Sequence, residues 1–257
     1  MYGAIIGDLA GSIYEYNQTK KIEHINTKEL IPINSFYSDD TILTIAITDA
    51  ILNNRDYDKY LRYYINKYKE YKPDFKPYFK TAFSPGIIKW STSNNIGNSI
   101  GNGAIMRISP IGYLFNNEED IIRESKLATL PTHNSNQAIT SATIVALIIY
   151  YLRKGIPLKD IYTKLELNPI YKEFTKFNTT CEETLNNCLY ILYNSNSFED
   201  AIIKTIYMGG DTDTNACIVG SMAEALYGIN NELITKANTK IPEEFKLVLE
   251  KTNYRHS

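Results

Sequence analysis

Cysteine, histidine and tryptophan are all scarce in this 257-residue chain, with three, three and one copies. Cys181, Cys188 and Cys217 are odd in number and follow no metal-ligand spacing. That pattern excludes a zinc ribbon or a disulfide framework, and reduced thiols in a cytoplasmic protein are expected. No uncharged apolar run reaches the ~18 residues a membrane span requires. The opening MYGAIIGD has no basic n-region and carries an acid at its eighth position, so no cleaved signal peptide is expected. Excess charge of either sign is also lacking. At a net −2, the chain is no general phosphate neutraliser, which argues against a nucleic-acid binder. Low-complexity tracts and tandem repeats are absent, and alternating strand-type segments are few.

What the chain does carry is helical periodicity. Thr41 to Leu52 (TILTIAITDAIL) is apolar nearly all round, as a central helix would be. Asp56 to Tyr71 is amphipathic, with Tyr60, Tyr63, Tyr64 and Tyr68 at spacings of three and four that read as a packing stripe. Gln137 to Leu152 forms another long helix, whose apolar end is bounded by Arg153 and Lys154. Thr180-Cys181-Glu182-Glu183 fits a capping box opening a helix to Tyr193. Ser197-Phe198-Glu199-Asp200 opens the next, which runs to Met208 and stops at Gly209-Gly210. A further helix spans about Thr214 to Tyr227. Gly3, Gly7 and Gly11 leave one face of the first helix bare for close packing; Glu15 ends that helix and opens a polar stretch, Asn17 to Lys28. Ile108 to Phe115 fits helix or strand. Prolines are scattered and mark no linker. One all-α domain over residues 1–257 is expected.

Four stretches are polar where a helical core favours apolar residues. Ser38-Asp39-Asp40-Thr41 precedes the most hydrophobic helix of the first half. Acids at a helix start can be simple caps, yet one suffices, and adjacent carboxylates repel unless a cation lies between them. In GGDTDTNA, Asp211 and Asp213 with the hydroxyls of Thr212 and Thr214 offer hard oxygen ligands suited to Mg2+, Ca2+ or Mn2+. Capping competes there too. Asn98-Ser99-Ile100-Gly101-Asn102-Gly103 is a glycine-rich turn, able to cradle phosphate on backbone N–H groups or to serve only as a turn. His133, in Thr132-His133-Asn134, stands at the start of the long helix. If the two acidic clusters meet at one end of a bundle, four carboxylates there need more than one divalent ion.

In this order, GAIIGDLAGSIYE, SDDT, Ser84-Pro85-Gly86, NSIGNGAIMRISPIG, Thr132-His133 and GGDTDTNA resemble the ADP-ribosylglycohydrolase family. They span residues 3 to 216. The family's first acidic motif begins with Thr, and Ser38 keeps the hydroxyl. Between His133 and Gly209 no specific motif matches.

The resemblance implies a compact orthogonal helix bundle with two Mg2+ ions (or Mn2+) at one end. Ser38, Asp39, Asp40, Asp211, Asp213 and Thr214 would be the ligands. Asn98, Ser99, Ile100, Gly101, Asn102 and Gly103 would wrap the diphosphate, His133 would sit against the phosphate and adenosine side, and Gly210 would also bind substrate. The implied activity is removal of ADP-ribose from modified protein side chains, with arginine favoured over serine. Asp39 or Asp40 would activate water, and Glu15 would position or gate it. The alternatives are hydrolysis of small ADP-ribose esters or ADP-ribosylated nucleic acid, and non-catalytic binding of ADP-ribose.

Overall fold

A computed structural model describes residues 1–15, 28–73, 81–173 and 179–253. Among these residues thirteen helices form. They are α1 (Tyr2–Gly11), α2 (Asp39–Leu52), α3 (Tyr57–Tyr68), α4 (Pro85–Ser91), α5 (Ser109–Leu114), α6 (Glu118–Thr129) and α7 (Asn136–Arg153). They continue with α8 (Leu158–Lys164), α9 (Cys181–Tyr193), α10 (Phe198–Met208), α11 (Thr212–Tyr227), α12 (Asn231–Asn238) and α13 (Glu243–Asn253). Strand-like pairing among the described residues is confined to two antiparallel bridges, Asn98 with His133 and Gly101 with Thr180.

The glycine face of α1 sets the architecture. Gly3, Gly7 and Gly11 lie against Gly220, Ala216 and Thr212, so α1 and α11 run antiparallel with their backbones in contact. A Cβ at Gly7 would come within 2.0 Å of the Ala216 carbonyl oxygen. This contact brings the C-terminus of α1 to the N-terminus of α11. Every residue of α11 from Thr212 to Ala223 is buried. Of the twelve residues from Asp40 to Ile51 in α2, eleven are buried and only Asp49 is half-exposed, so both faces are covered, as an apolar-all-round sequence requires.

Helix ends follow their local chemistry. Ser38 caps α2, accepting from the Asp40 amide at 3.2 Å, and Ser197 caps α10, accepting from Asp200 at 3.0 Å. Thr180 stands at the N-cap of α9, but its side chain makes no capping bond. The acids Glu182 and Glu183 still complement that helix's positive end. Gly209 (φ +77°) and Gly210 (φ +74°) turn the chain between α10 and α11 through the left-handed region, where a Cβ would be strained.

Some boundaries differ from the sequence reading. α1 ends at Gly11, so Glu15 lies in the turn beyond it. α3 stops at Tyr68, and Tyr71 instead stacks on Tyr37 with ring centroids 4.5 Å apart. Ile108 to Phe115 forms a helix, α5, with Pro110 in its first turn. Except for Lys28, the polar stretch Asn17 to Lys28 lies outside the described residues. All three cysteines are free and buried. Among the described residues, no helix is long and apolar enough to cross a membrane.

Gly7→Ala forces a methyl group into the α11 backbone, and the two helices must part. We expect a loss of about 3 kcal/mol, the upper range for overpacking a tight core. It would be read as a lower urea midpoint with an unchanged m-value.

Candidate active site

Three helix ends converge: the last turn of α1 and the first turns of α2 and α11. They deliver Asp8, Asp39, Asp40, Asp211 and Asp213, with Glu15 from the turn after α1. Carboxylate oxygens of Asp8, Asp40 and Asp213 lie within 4.8 Å of one another, as do those of Glu15, Asp211 and Asp213. Asp8 binds the start of α2 to α1. It accepts from the Ser38 amide at 2.9 Å, the Ser38 hydroxyl at 2.8 Å and the Thr41 amide at 3.1 Å, and also from the Thr41 hydroxyl. On the other side, Thr214 Oγ1 donates to Asp40 Oδ2 at 3.1 Å, joining α11 to α2.

Burial dominates the electrostatics. It pushes the Asp8 carboxyl up to about 6, with its hydrogen bonds from Ser38 and Thr41 pulling the other way. Asp39, Asp40 and Asp213 are driven well above the carboxylate range, first by desolvation and then by neighbouring charges, led by Asp8 for Asp39 and Asp40 and by Glu15 for Asp213. Asp211 is raised by burial as well, with Asn102 among the groups opposing the shift.

This donor set fits divalent cations. It is all oxygen, and Asp40 Oδ1 is buried without a hydrogen-bond partner in the protein. Mutual repulsion raises the affinity for protons, and a hard cation satisfies the same demand. The two acidic motifs therefore differ in kind. Ser38 caps α2, whereas Asp211 at the N-cap of α11 makes no capping bond and instead accepts from Asn102 Nδ2 at 2.7 Å.

A cleft of about 890 Å³ opens onto this cluster. Glu15, Asp39, Asp211, Asp213 and Thr214 line one side, and Asn98, Ser99, Gly101, Asn102, Gly103 and His133 another. Phe83, Ile87 and Trp90 add an apolar wall. The 98–103 turn is tied down from behind, since Ser99 N donates to Thr132 O at 3.2 Å and Asn102 N to Thr179 O at 2.6 Å. His133 is buried, and desolvation followed by the charge of Arg107 pushes its imidazole down to about 3. It is therefore uncharged at any working pH. Arg107 Nη2 donates to Thr132 Oγ1 at 2.6 Å, and that hydroxyl lies 2.6 Å from His133 Nδ1. Because Arg107 can only donate, the arrangement that gives the Thr132 hydrogen an acceptor sends it to Nδ1, with the imidazole proton then on Nε2. Nε2 faces the glycine turn: a Cβ at Gly103 would lie 3.6 Å from it.

The cleft thus gathers Glu15, Asp39, the 98–103 turn, His133, Asp211, Asp213 and Thr214. Ser38 and Asp40 lie buried behind Asp39. Gly210 is buried at the turn into α11, outside the cleft lining. Ile100 also lies outside it and is 48% exposed. Asp8 and Arg107 were missed by sequence reasoning, although each is a charge inside an apolar segment, IIGDLAG and AIMRISPIG. Trp90, the single tryptophan, gave a weaker signal for the apolar wall.

The ADP-ribosylglycohydrolase family model matches residues 1–254. An ADP-ribosylarginine hydrolase of Pseudomonas putida is 23% identical, over 90% of this chain and 70% of that protein. The ADP-ribosylhydrolase ARH3 of Mus musculus is 20% identical, over 88% of this chain and 82% of its own. The ADP-ribosyl-[dinitrogen reductase] glycohydrolase of Rhodospirillum rubrum is 22% identical over 57% of this chain and 53% of that one. A solved structure titled "ADP-ribosylglycohydrolase-related protein complex" superposes with a TM-score of 0.73 at 19% identity, covering 99% of this chain and 93% of that one.

The raised carboxyls make the metal-free protein sensitive to pH. A carboxyl with a raised folded-state pKa binds more protons folded than unfolded, so its contribution is full below the unfolded value of 3.8. For Asp8 that contribution is lost as pH rises through about 6, and its neighbours shift the same way. In chelator, the melting temperature should fall between pH 5 and pH 8 through this contribution. Millimolar Mg2+ or Mn2+ should raise it, and by more at pH 8 than at pH 5. An ion-induced shift of equal size at both pH values would contradict the buried-carboxylate account.

Proposed function

Because the chain belongs to the ADP-ribosylglycohydrolase family, we propose that it hydrolyses ADP-ribose from modified protein side chains, with the arginine N-glycosidic link as its substrate. One observation carries this reading: a single cleft brings the carboxylates of Glu15, Asp39, Asp211 and Asp213 together with the 98–103 turn and His133. The first can serve a reacting sugar, and the second an anionic tail. The name of the Pseudomonas relative supports arginine as the linkage, and so does a cleft lined by acids, which suits a guanidinium leaving group.

Asp39, Asp40, Asp211, Asp213, Thr214 and Ser38 would hold the ions, two Mg2+ or Mn2+ in our reading. Bound there, they supply the positive charge that keeps the carboxylates ionised and polarises water and sugar hydroxyls.

The protein's own groups account for the rest. The turn and the His133 Nε2–H hold the diphosphate, fixing the ribose over the acidic end of the cleft. Positive charge develops at the anomeric carbon as its bond to the guanidinium nitrogen breaks, and the surrounding carboxylates stabilise it. Water adds to that carbon, the bonding pair leaves with the nitrogen, and the water's proton passes to a carboxylate. Asp39 is assigned this proton because it lines the cleft, whereas Asp40 lies behind it. Glu15, in the turn after α1, positions the water.

Release of ADP-ribose from arginine- and serine-ADP-ribosylated peptides, with and without millimolar Mg2+, tests the reading. The arginine peptide should be cleaved, and only with the ion. Asp211→Ala should lower the rate by about a hundredfold or more, as loss of a metal ligand does. Full activity in that variant would end the metal assignment. Cleavage of an O-acetyl-ADP-ribose ester with neither peptide touched would shift the substrate to small esters.

A further inference from the structure

Arg107 is 1% exposed and has no carboxylate partner among the described residues. Its Nη2 reaches the Ala128 carbonyl at 3.4 Å and Thr132 Oγ1 at 2.6 Å, while Nη1 makes no hydrogen bond among the described residues. Burial lowers its pKa to about 10, so it stays charged at neutral pH. A lone buried cation is costly, and an apolar side chain of similar volume often serves a fold better. Its retention calls for an anion.

Among the described residues, the cleft next to it has no lysine or arginine in its lining, although the function proposed above requires it to take a diphosphate. Its backbone donors are also partly committed. The amides of Ser99, Gly101 and Asn102 already donate to Thr132 O, Ser99 Oγ and Thr179 O. Arg107 sits directly behind that wall. Thr132, which it holds, carries Ser99 on its carbonyl and His133 on its hydroxyl. Gly97 lies so close that a Cβ there would come within 2.4 Å of Thr132 O. Cys181, whose thiol donates to Gly101 O at 2.8 Å, and Asp39 both feel the guanidinium charge.

We infer that Arg107 is the positioning residue for the anionic part of the substrate: its buried charge attracts the diphosphate through the 97–103 wall, and its bond to Thr132 fixes His133 as an Nε2–H donor. The inference rests on the proposed ADP-ribose function.

Calorimetric titration of ADP-ribose into the full-length protein tests both in turn. Absence of binding to the wild type would sink the functional reading, and the inference with it. Given wild-type binding, Arg107→Met should weaken it by about tenfold or more, the scale of one desolvated charge contact, while the melting temperature holds or rises. Turnover on the modified peptide should show KM raised by a similar factor and kcat within about threefold of wild type. Nitrogen NMR should show His133 Nε2-protonated in the wild type and a mixture of tautomers in Arg107→Met. Wild-type affinity in a folded Arg107→Met overturns the inference. If that variant fails to fold, Arg107→Lys decides: affinity within about threefold of wild type sustains the inference, and a folded lysine variant bound tenfold more weakly overturns it.

Discussion

Five aspartates and a glutamate occupy the place where α1, α2 and α11 meet, and the rest of the structure has to accommodate their charge. Two helix N-termini point at them, each equivalent to roughly half a positive charge. That is far short of five or six negative ones. Part of the balance is made up by protonation, because burial raises Asp8, Asp39, Asp40 and Asp213, and neighbouring carboxylates raise the last three further. Divalent ions supply the remainder in the reading developed here. So many acids are brought within reach of one another by the backbone contact of α1 on α11. With no side chains between the helices, Asp8 and Asp213 come as close as the main chains allow. An ordinary helix pair, held 8–10 Å apart by side chains, would not bring them together.

Much of this was legible in the sequence, for reasons specific to each element. The glycine period in GAIIGDLAG announced a helix that packs backbone to backbone. TILTIAITDAIL and the run after GGDTDT announced buried helices, because neither leaves room for a polar face. Gly209-Gly210 announced a stop, and both residues lie at positive φ. Local reading was weaker where side chains compete for the same donors. Ser38 both caps its helix and bonds Asp8, and spacing alone could not separate a cap from a site. Thr180 looks like a cap but does not act as one, because the chain before α9 is held by the Gly101 bridge. Asp8 and Arg107 were overlooked because their partners lie far along the chain. The contacts of Asp8 are about thirty residues away, at Ser38 and Thr41, and that of Arg107 is at Thr132.

Seen together, the two overlooked charges explain how the cleft is polarised. Asp8 does not itself line the cleft, yet it holds the loop that presents Asp39. Arg107 does not line it either, yet it holds Thr132, the lining residue that orients His133. Each is fully buried, and each acts on the cleft through a hydroxyl: Ser38 or Thr41 for the acid, and Thr132 for the guanidinium. The result is a cleft with a negative end and a weakly positive wall. Among the described residues its one imidazole is held uncharged by burial, so in the proposed function acid–base work falls to the carboxylates at the other end.

That division has a consequence for pH. A site relying on a histidine near pH 6.5 would switch its binding wall on and off across the physiological range. Here the imidazole sits beside a permanent cation and cannot gain a second charge, so the wall keeps one protonation state. The groups that respond to pH are the acids, and they respond together, because each one's charge is part of the others' environment. Any ion that enters replaces shared protons, so ion binding and the ionisation of the acidic end become one event. The separation of a fixed wall from a titrating floor follows from where two buried charges sit, on elements that the glycine face of α1 and the 97–103 turn hold in place.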